Sequence, residues 1–309
     1  MTALRVIGRF LLTLFAASVI IFLLMRAVPG NPARVALGVN ATEEAVAELS
    51  TALGLDRPLM AQYAEWMGGL LRGDFGVSLS SQQDITPLVL DRAQVSLIIV
   101  GLAMLLALGA AIPAGMWLAQ RTAPLASAAT QVGIAMPSFL VGIVLVAIFA
   151  VRLGWLPANG WTPPNQGFGS FLAHLVLPVI SLALVQGAML TRYVRSAILD
   201  VMDRDYIRTA RSLGLTPAQA LRRHGLRNAA LPVLTVTGVQ LTTLVVGAVV
   251  IESVFVIPGL GSMLLDAVST RDLTTVQTLV MLLVAFTLTI NALTDLSYRL
   301  VDPRLKEAR

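Results

Sequence analysis

Six stretches of the chain are predominantly apolar over about the 20 residues that a helix needs to cross the hydrocarbon core of a bilayer. They cover residues 7–26, 95–119, 128–151, 171–193, 231–256 and 276–300. The pattern predicts an all-α, polytopic membrane protein with six transmembrane helices. It divides the chain into a first anchor helix (1–26), a loop or cap with short helices (27–94) and a five-helix transmembrane domain (95–309). The first run follows Arg5 and Arg9 as a signal peptide would, but its end, Ala27-Val28-Pro29-Gly30, lacks a clean small-x-small cleavage site. An uncleaved anchor is expected.

The basic residues set the orientation. With the N-terminus inside, the inner segments hold 15 basic residues and the outer segments 7, which favours N-in, C-in. The acids agree, since eight of the 17 lie in the outer segment between Glu43 and Asp91. Composition adds weight. Charged residues make up 13% of the chain, against about 25% in soluble domains, and the mean hydropathy is +0.80. The net charge of +5 comes from arginines beside apolar runs, a topological pattern and not a nucleic-acid footprint.

Several chemistries are missing. The chain has no cysteine, so disulfides and thiolate metal sites are excluded. Its sole lysine, Lys306, lies in Arg304-Leu305-Lys306-Glu307, which cannot cradle nucleotide phosphates as a P-loop does. His174 and His224 form no His-Glu-x-x-His pair, and there is no Gly-x-Ser-x-Gly elbow. Glu252 and Asp295 fall near opposite ends of their spans and cannot make a catalytic dyad. No catalytic, cofactor or metal site is expected.

The loops carry local signals. Thr42 is placed to cap a helix with Glu43 and Glu44 in its first turn, and Gly54 to close it; Pro58 suits the first helical position of a second helix reaching Arg72. Trp155 and Trp161 suit interfacial anchors. Pro258-Gly259-Leu260-Gly261 reads as a turn before a short helix, 262–270. Within the spans, Pro113, Pro137 and Pro178 and several glycines permit bends and close helix contacts. Gln186, Gln240, Glu252 and Asn291 are candidate pathway residues, with hydrogen bonding between helices as the commoner use of such groups. Asp295 is placed for an i,i+4 pair with Arg299.

The most informative stretch is 192–232, which holds eight arginines between two apolar runs. Asp203 or Asp205 is expected to cap a short helix, 206–213. Gly214 suits its left-handed C′ position. Thr216 and Pro217 suit the N-cap and first residue of a second short helix, ending near His224. Ala210, Leu213, Leu215, Ala218 and Leu221 are available for one face; Arg208, Arg211, Arg222 and Arg223 for another. A loop that only fixed topology would need the charge but not two capped helices. An elbow that fits a socket on an inner partner suits the pattern better than a lipid-lying helix.

Here the chain resembles the binding-protein-dependent ABC importer permeases of the dipeptide, oligopeptide and nickel group. The resemblance rests on Arg208-Thr209-Ala210-Arg211-Ser212-Leu213-Gly214 followed by Arg227-Asn228-Ala229-Ala230-Leu231-Pro232. In other import permeases the first motif starts Glu-Ala-Ala. It extends over nearly the whole chain, through Pro29-Gly30-Asn31-Pro32, Gly73-Asp74-Phe75-Gly76, Met136-Pro137-Ser138-Phe139, Gly154-Trp155-Leu156-Pro157, Glu252-Ser253-Val254-Phe255, Arg271-Asp272 and Val301-Asp302-Pro303-Arg304. The long first outer loop is similar to that of the B-type subunit of a permease pair.

The resemblance implies a multi-pass subunit of a bacterial cytoplasmic membrane that forms half of a pathway for di- or oligopeptides. A second homologous permease, two cytosolic P-loop ATPases and an extracytoplasmic binding protein would be its partners, with no nucleic acid. Asp205, Arg208, Ala210, Arg211, Gly214, Leu215, Pro217, Arg222 and Arg223 would couple to the ATPases through a two-helix cytoplasmic elbow (203–226). Pro258, Gly259, Gly261, Ser262, Asp266, Arg271 and Asp272 would face the binding protein, and deleting 262–270 should stop transport without preventing assembly. Nickel, glutathione or another small solute is the alternative substrate. An ATP-independent channel or carrier would show paired broken helices or midplane charges, which are not evident.

Overall fold

The computed structural model describes residues 3–38, 41–121 and 124–301. The motif beginning at Val301, Lys306 and the side chain of Arg299 fall outside the described parts. In chain order the helices are α1 (Ala3–Ala27), α2 (Pro32–Leu37), α3 (Glu43–Ala52), α4 (Leu59–Arg72), α5 (Thr86–Gln120), α6 (Pro124–Ala135), α7 (Ser138–Leu145), α8 (Phe168–Met202), α9 (Asp205–Ser212), α10 (Pro217–Ala220), α11 (Leu226–Val254), α12 (Leu260–Ser269) and α13 (Leu273–Val301). π-Helical turns follow α7 (Val146–Arg152) and α10 (Leu221–Gly225).

Among the described residues, five helices are long and apolar enough to span a membrane: Arg5–Ala27, Thr86–Gln120, Phe168–Met202, Pro217–Val254 and Leu273–Ser297. The apolar run at 128–151 is not one helix. It breaks at Met136-Pro137 into α6 and α7, with Pro137 extended at φ −65°, ψ 139°. Proline lacks the N–H that would continue the ladder and pushes the preceding residue out of the helical region. Pro113, Pro178 and Pro232 stay inside α5, α8 and α11.

The chain forms two packing units, 1–95 with 258–289 and 96–257 with 290–309. In the first of these the loop helix α4 packs on the anchor helix α1. In the first unit, Tyr63 and Trp66 of α4 meet Phe22 of α1 at 5.4 and 6.2 Å between ring centroids. Ser18 Oγ lies 2.7 Å from Tyr63 Oη, and Trp66 Nε1 donates to Thr278 Oγ1 of α13. Thr42 caps α3 by accepting from the Ala45 amide, and Gly54 follows at φ 64°. Pro58 is the N-cap of α4, one residue outside the helix. Asp84 accepts from the Thr86 amide at the start of α5, and this bond holds its carboxyl below the usual range.

α8 is the axis of the second unit, with α6, α7 and α11 packed along it. Its buried positions Leu175, Leu182, Gln186, Leu190 and Val194 recur at helical spacing. Small residues set the approach distances. A Cβ on Gly115 of α5 would fall 2.6 Å from Val194, and one on Gly142 of α7 3.0 Å from the Phe255 ring. Trp161 meets Phe171 edge-on at 5.5 Å, whereas Trp155 is exposed.

Candidate functional site

The arginine-rich stretch folds onto the end of α8. Val194, Ala197, Ile198 and Val201 of α8 form an apolar seat. Ile207 and Ala210 of α9, with Ala220, Leu221 and Ala229 beyond the turn, fill it. Burying such side chains contributes about 1.5–3 kcal/mol each for the larger ones, so the elbow is fixed by packing as well as by its caps. Tyr206 Oη also accepts from Asn228 Nδ2 at 2.9 Å.

The turn between α9 and α10 closes with two reverse hydrogen bonds, Gly214 N to Arg211 O (3.0 Å) and Leu215 N to Ala210 O (3.3 Å). This is a Schellman arrangement, and it needs a left-handed residue at Gly214, which has φ 96°. Thr216 then starts α10 with a capping box: its hydroxyl accepts from the Gln219 amide, and the Gln219 side chain accepts from the Thr216 amide.

Three expectations change here. Neither Asp203 nor Asp205 caps α9; its N-cap is Arg204, with no side-chain bond. Both acids instead lie near Arg208, at 3.9 and 3.8 Å. All three are exposed, so these pairs contribute roughly 0–1 kcal/mol. The second short helix does not end near His224. α10 passes through the π turn, where the Leu226 N–H reaches the Leu221 carbonyl, and runs on as α11. The apolar face also differs in membership. Ala210 and Leu221 are buried and Leu215 is half-buried, but Ala218 is exposed and Leu213 is 81% exposed.

Arg208, Arg211, Leu213, Gly214, Pro217, Arg222 and Arg223 all lie on the exposed surface of the elbow, together with the acids Asp203 and Asp205. Ile207, Ala220 and Gly225 were not singled out by the sequence reading. Gly225 sits where α8, α9 and the π turn converge: a Cβ there would fall 2.8 Å from Leu221, 2.9 Å from Val201 and 3.5 Å from Ile207. The three-residue step from Ile207 to Ala210 was the available signal for the buried face.

The residues expected to face a binding protein divide in two. Asp266 and Arg271 are exposed, beside Leu265 and Val268 of α12. Gly259 and Gly261 are buried, Pro258 is half-buried, and Ser262 is committed to the start of α12, its hydroxyl accepting from the Gly259 amide. Asp272 is 3% exposed and belongs to the interior, not the surface. Its carboxyl oxygens accept from Ser78 Oγ (2.5 Å), Leu79 N (3.1 Å) and Ser80 Oγ (3.3 Å), and from Thr275 N and Oγ1 (3.2 and 2.8 Å). Arg271, at φ 54°, closes α12 as Gly214 closes α9, with Asp272 N reaching Ala267 O. Met263 and Ala267 of α12 are buried, so deleting 262–270 would remove core and could not isolate a docking role.

Of the candidate pathway residues, Gln186 and Gln240 are buried in α8 and α11, and Asn291 is exposed on α13. Glu252 is fully buried and accepts from Ser96 Oγ at 2.6 Å. Its main-chain carbonyl accepts from Ile257 N at 2.8 Å in the following turn. Asp295 is exposed. Among the described residues no group of three or more His, Asp or Glu side chains could hold a metal.

Comparison with known proteins assigns this arrangement to a family. Residues 94–307 match the binding-protein-dependent transport system inner membrane component, and residues 2–100 match the N-terminal part of such membrane components. A probable peptide ABC transporter permease protein, y4tP, from Sinorhizobium fredii is 36% identical over 93% of each chain. The di/tripeptide transport system permease protein DppB of Pseudomonas aeruginosa is 36% identical over 99% of this chain and 98% of its own. The oligopeptide transport system permease protein AppB of Bacillus subtilis is 33% identical over 95% of each. The crystal structure of an amino acid ABC transporter with histidines shares the fold, with a TM-score of 0.53 and 20% identity over 69% of this chain and 94% of that one. With both segments matched and full-length relatives above 30% identity, the chain belongs to the family of multi-pass inner membrane components of binding-protein-dependent transport systems.

Proposed function

We propose that this chain is one half of the translocation pathway of an ATP-driven peptide importer, and that it hydrolyses no ATP itself. The observation that carries the coupling role is the elbow: two helices locked by a Schellman turn and a capping box, seated on α8 and continuous with α11. A push on the elbow is thereby delivered to two long apolar helices. The exposed Leu213 is an apolar knob on a surface that also exposes Arg208, Arg211, Arg222 and Arg223, suited to a socket with an acidic rim. A P-loop is absent from the sequence, so the energy must come from another chain. The names of the relatives support a peptide as the solute.

In this reading the elbow faces the cytosol, and both termini lie on that side. Two ATPases bind the elbows of this chain and of a second permease, and their closure on ATP shifts the pair between inward- and outward-open states. A binding protein delivers peptide from the other side, and the exposed face of α12 (Leu265, Asp266, Val268) contacts it. Co-purification tests the assembly. Tagged chain should bring down a second permease and a P-loop ATPase, and peptide-loaded binding protein should stimulate ATP hydrolysis. Recovery of the chain with no ATPase subunit would overturn the proposal.

A further inference from the structure

α5, α6 and α8 line an open pocket of 340 Å³, of mixed polar and apolar surface, where the apolar run of α8 gives way to arginines. Its walls include Arg192, Arg195 and Ser196 of α8, Thr130 and Gln131 of α6, and Leu118 of α5. The volume lies in the ~300–1,000 Å³ range of small-molecule sites. No carboxylate lines it. Among the described residues, neither Arg192 nor Arg195 has an acidic partner, since the ion pairs involve other arginines. Residues 96–120 and 124–135 contain no acid in the sequence.

Arg195 is half-buried and anchored: its Nε donates to the Leu118 carbonyl at 3.2 Å. That bond covers one of the free carbonyls at the C-terminal end of α5, which would otherwise repel an anion. The neighbouring residue, Trp117, is 46% exposed with the Arg121 guanidinium 5.8 Å from its ring. An exposed tryptophan beside arginines at the end of an apolar helix marks the level of the headgroups.

We propose that this pocket binds the phosphodiester headgroup of an anionic phospholipid, held by Arg192 and Arg195. Two guanidinium groups without an acidic partner, beside hydroxyl and amide groups and with no carboxylate in the lining, match a phosphodiester in hydrogen bonding as well as in charge. Leu118 and Leu199 supply an apolar lip for the acyl-glycerol end. Basic pockets between membrane helices are a recurrent way of holding anionic headgroups. The site is independent of the transported solute, and would fix α6 against the end of α8.

The test is native mass spectrometry of the complete transporter, extracted in mild detergent and exchanged with phosphatidylglycerol or phosphatidylcholine. Phosphatidylglycerol should survive delipidation in preference to phosphatidylcholine. Arg192→Gln, at an exposed side chain, should weaken retention about fivefold, and the double variant with Arg195→Gln should do so further. Arg192→Lys should keep the preference. Millimolar inorganic phosphate should not displace the lipid. Equal retention of the two lipids, or unchanged phosphatidylglycerol in both glutamine variants, would overturn the proposal. Displacement by phosphate alone would assign the pocket to a free anion and overturn the lipid as its source.

Discussion

Replacing Gly225 by leucine is expected to uncouple the transporter while leaving the chain in the membrane. Gly225 has an ordinary helical backbone, φ −101° and ψ −38°, so the effect is one of volume. A side chain there meets Val201 of α8, Ile207 of α9 and Leu221 of the π turn together. Val201 is β-branched and buried on a helix, and cannot swing away as the tip of a long side chain could. Overpacking of this kind costs about 1–3 kcal/mol. It is relieved most easily by lifting α9, the short element, off its seat. A displacement energy of that size shifts a two-state equilibrium about 5- to 150-fold. ATP-driven uptake should fall by that order, with membrane levels of the chain near wild type. Gly109→Ala is the control, because a Cβ there meets nothing within 4 Å. Normal uptake by Gly225→Leu would mean that the seat of the elbow transmits no force.

Asp272→Ala should be the most destabilising single truncation in the first unit. The carboxyl group of Asp272 is the N-cap of α13 through Thr275 and also the tie to the loop at Ser78–Ser80. Its removal leaves the buried amides of Leu79 and Thr275 without these partners. The Leu79 amide costs ~1–3 kcal/mol and the Thr275 amide, as the lost cap, ~1 kcal/mol, for a total of roughly 2–4 kcal/mol. Asp272→Asn should recover part of this, since one oxygen still accepts and the serine hydroxyls can rotate. The half-life of monodisperse protein on heating in detergent is the appropriate measure, because unfolding of such chains is often irreversible. A surface contact with a binding protein would give the opposite pattern, a stable Asp272→Ala protein that fails to transport.

The features legible in the sequence are those whose causes are local. Thr42, Gly54, Gly214 and the Thr216-Pro217 start are set by backbone sterics and caps within a few residues, and the structure places each where those rules require. The long apolar runs are legible because a helix in lipid must satisfy its own backbone. The features that were not legible depend on distant partners. Asp272 reads as a surface acid until Ser78, 194 residues away in sequence, is placed beside it. The partner of Glu252 is equally hidden, since Ser96 reaches it from 156 residues away.

The prolines show the same limit from another side. Pro113, Pro137, Pro178 and Pro232 look alike in sequence, yet only Pro137 separates two helices. The pieces on either side, α6 and α7, both pack on α8, with Gly133 against Ala188 and Gly142 against Ser181. Such contacts form only after folding. The π turn after α10 was hidden for a different reason. Leu221-Arg222-Arg223-His224 reads as the last turn of a short helix, but Leu221 and Gly225 are buried and the helix continues through them into α11.

The central claim is that this chain moves solute only when another chain supplies the force through the elbow. Proteoliposomes test it directly. The chain would be reconstituted alone, and again with its second permease and ATPases, and uptake of a labelled dipeptide followed with the binding protein outside and ATP inside. Uptake that needs the partner subunits and ATP, and that falls in the Gly225→Leu complex, is the expected result. Uptake by the chain alone, driven only by a solute gradient, would contradict the claim and make it a channel or carrier.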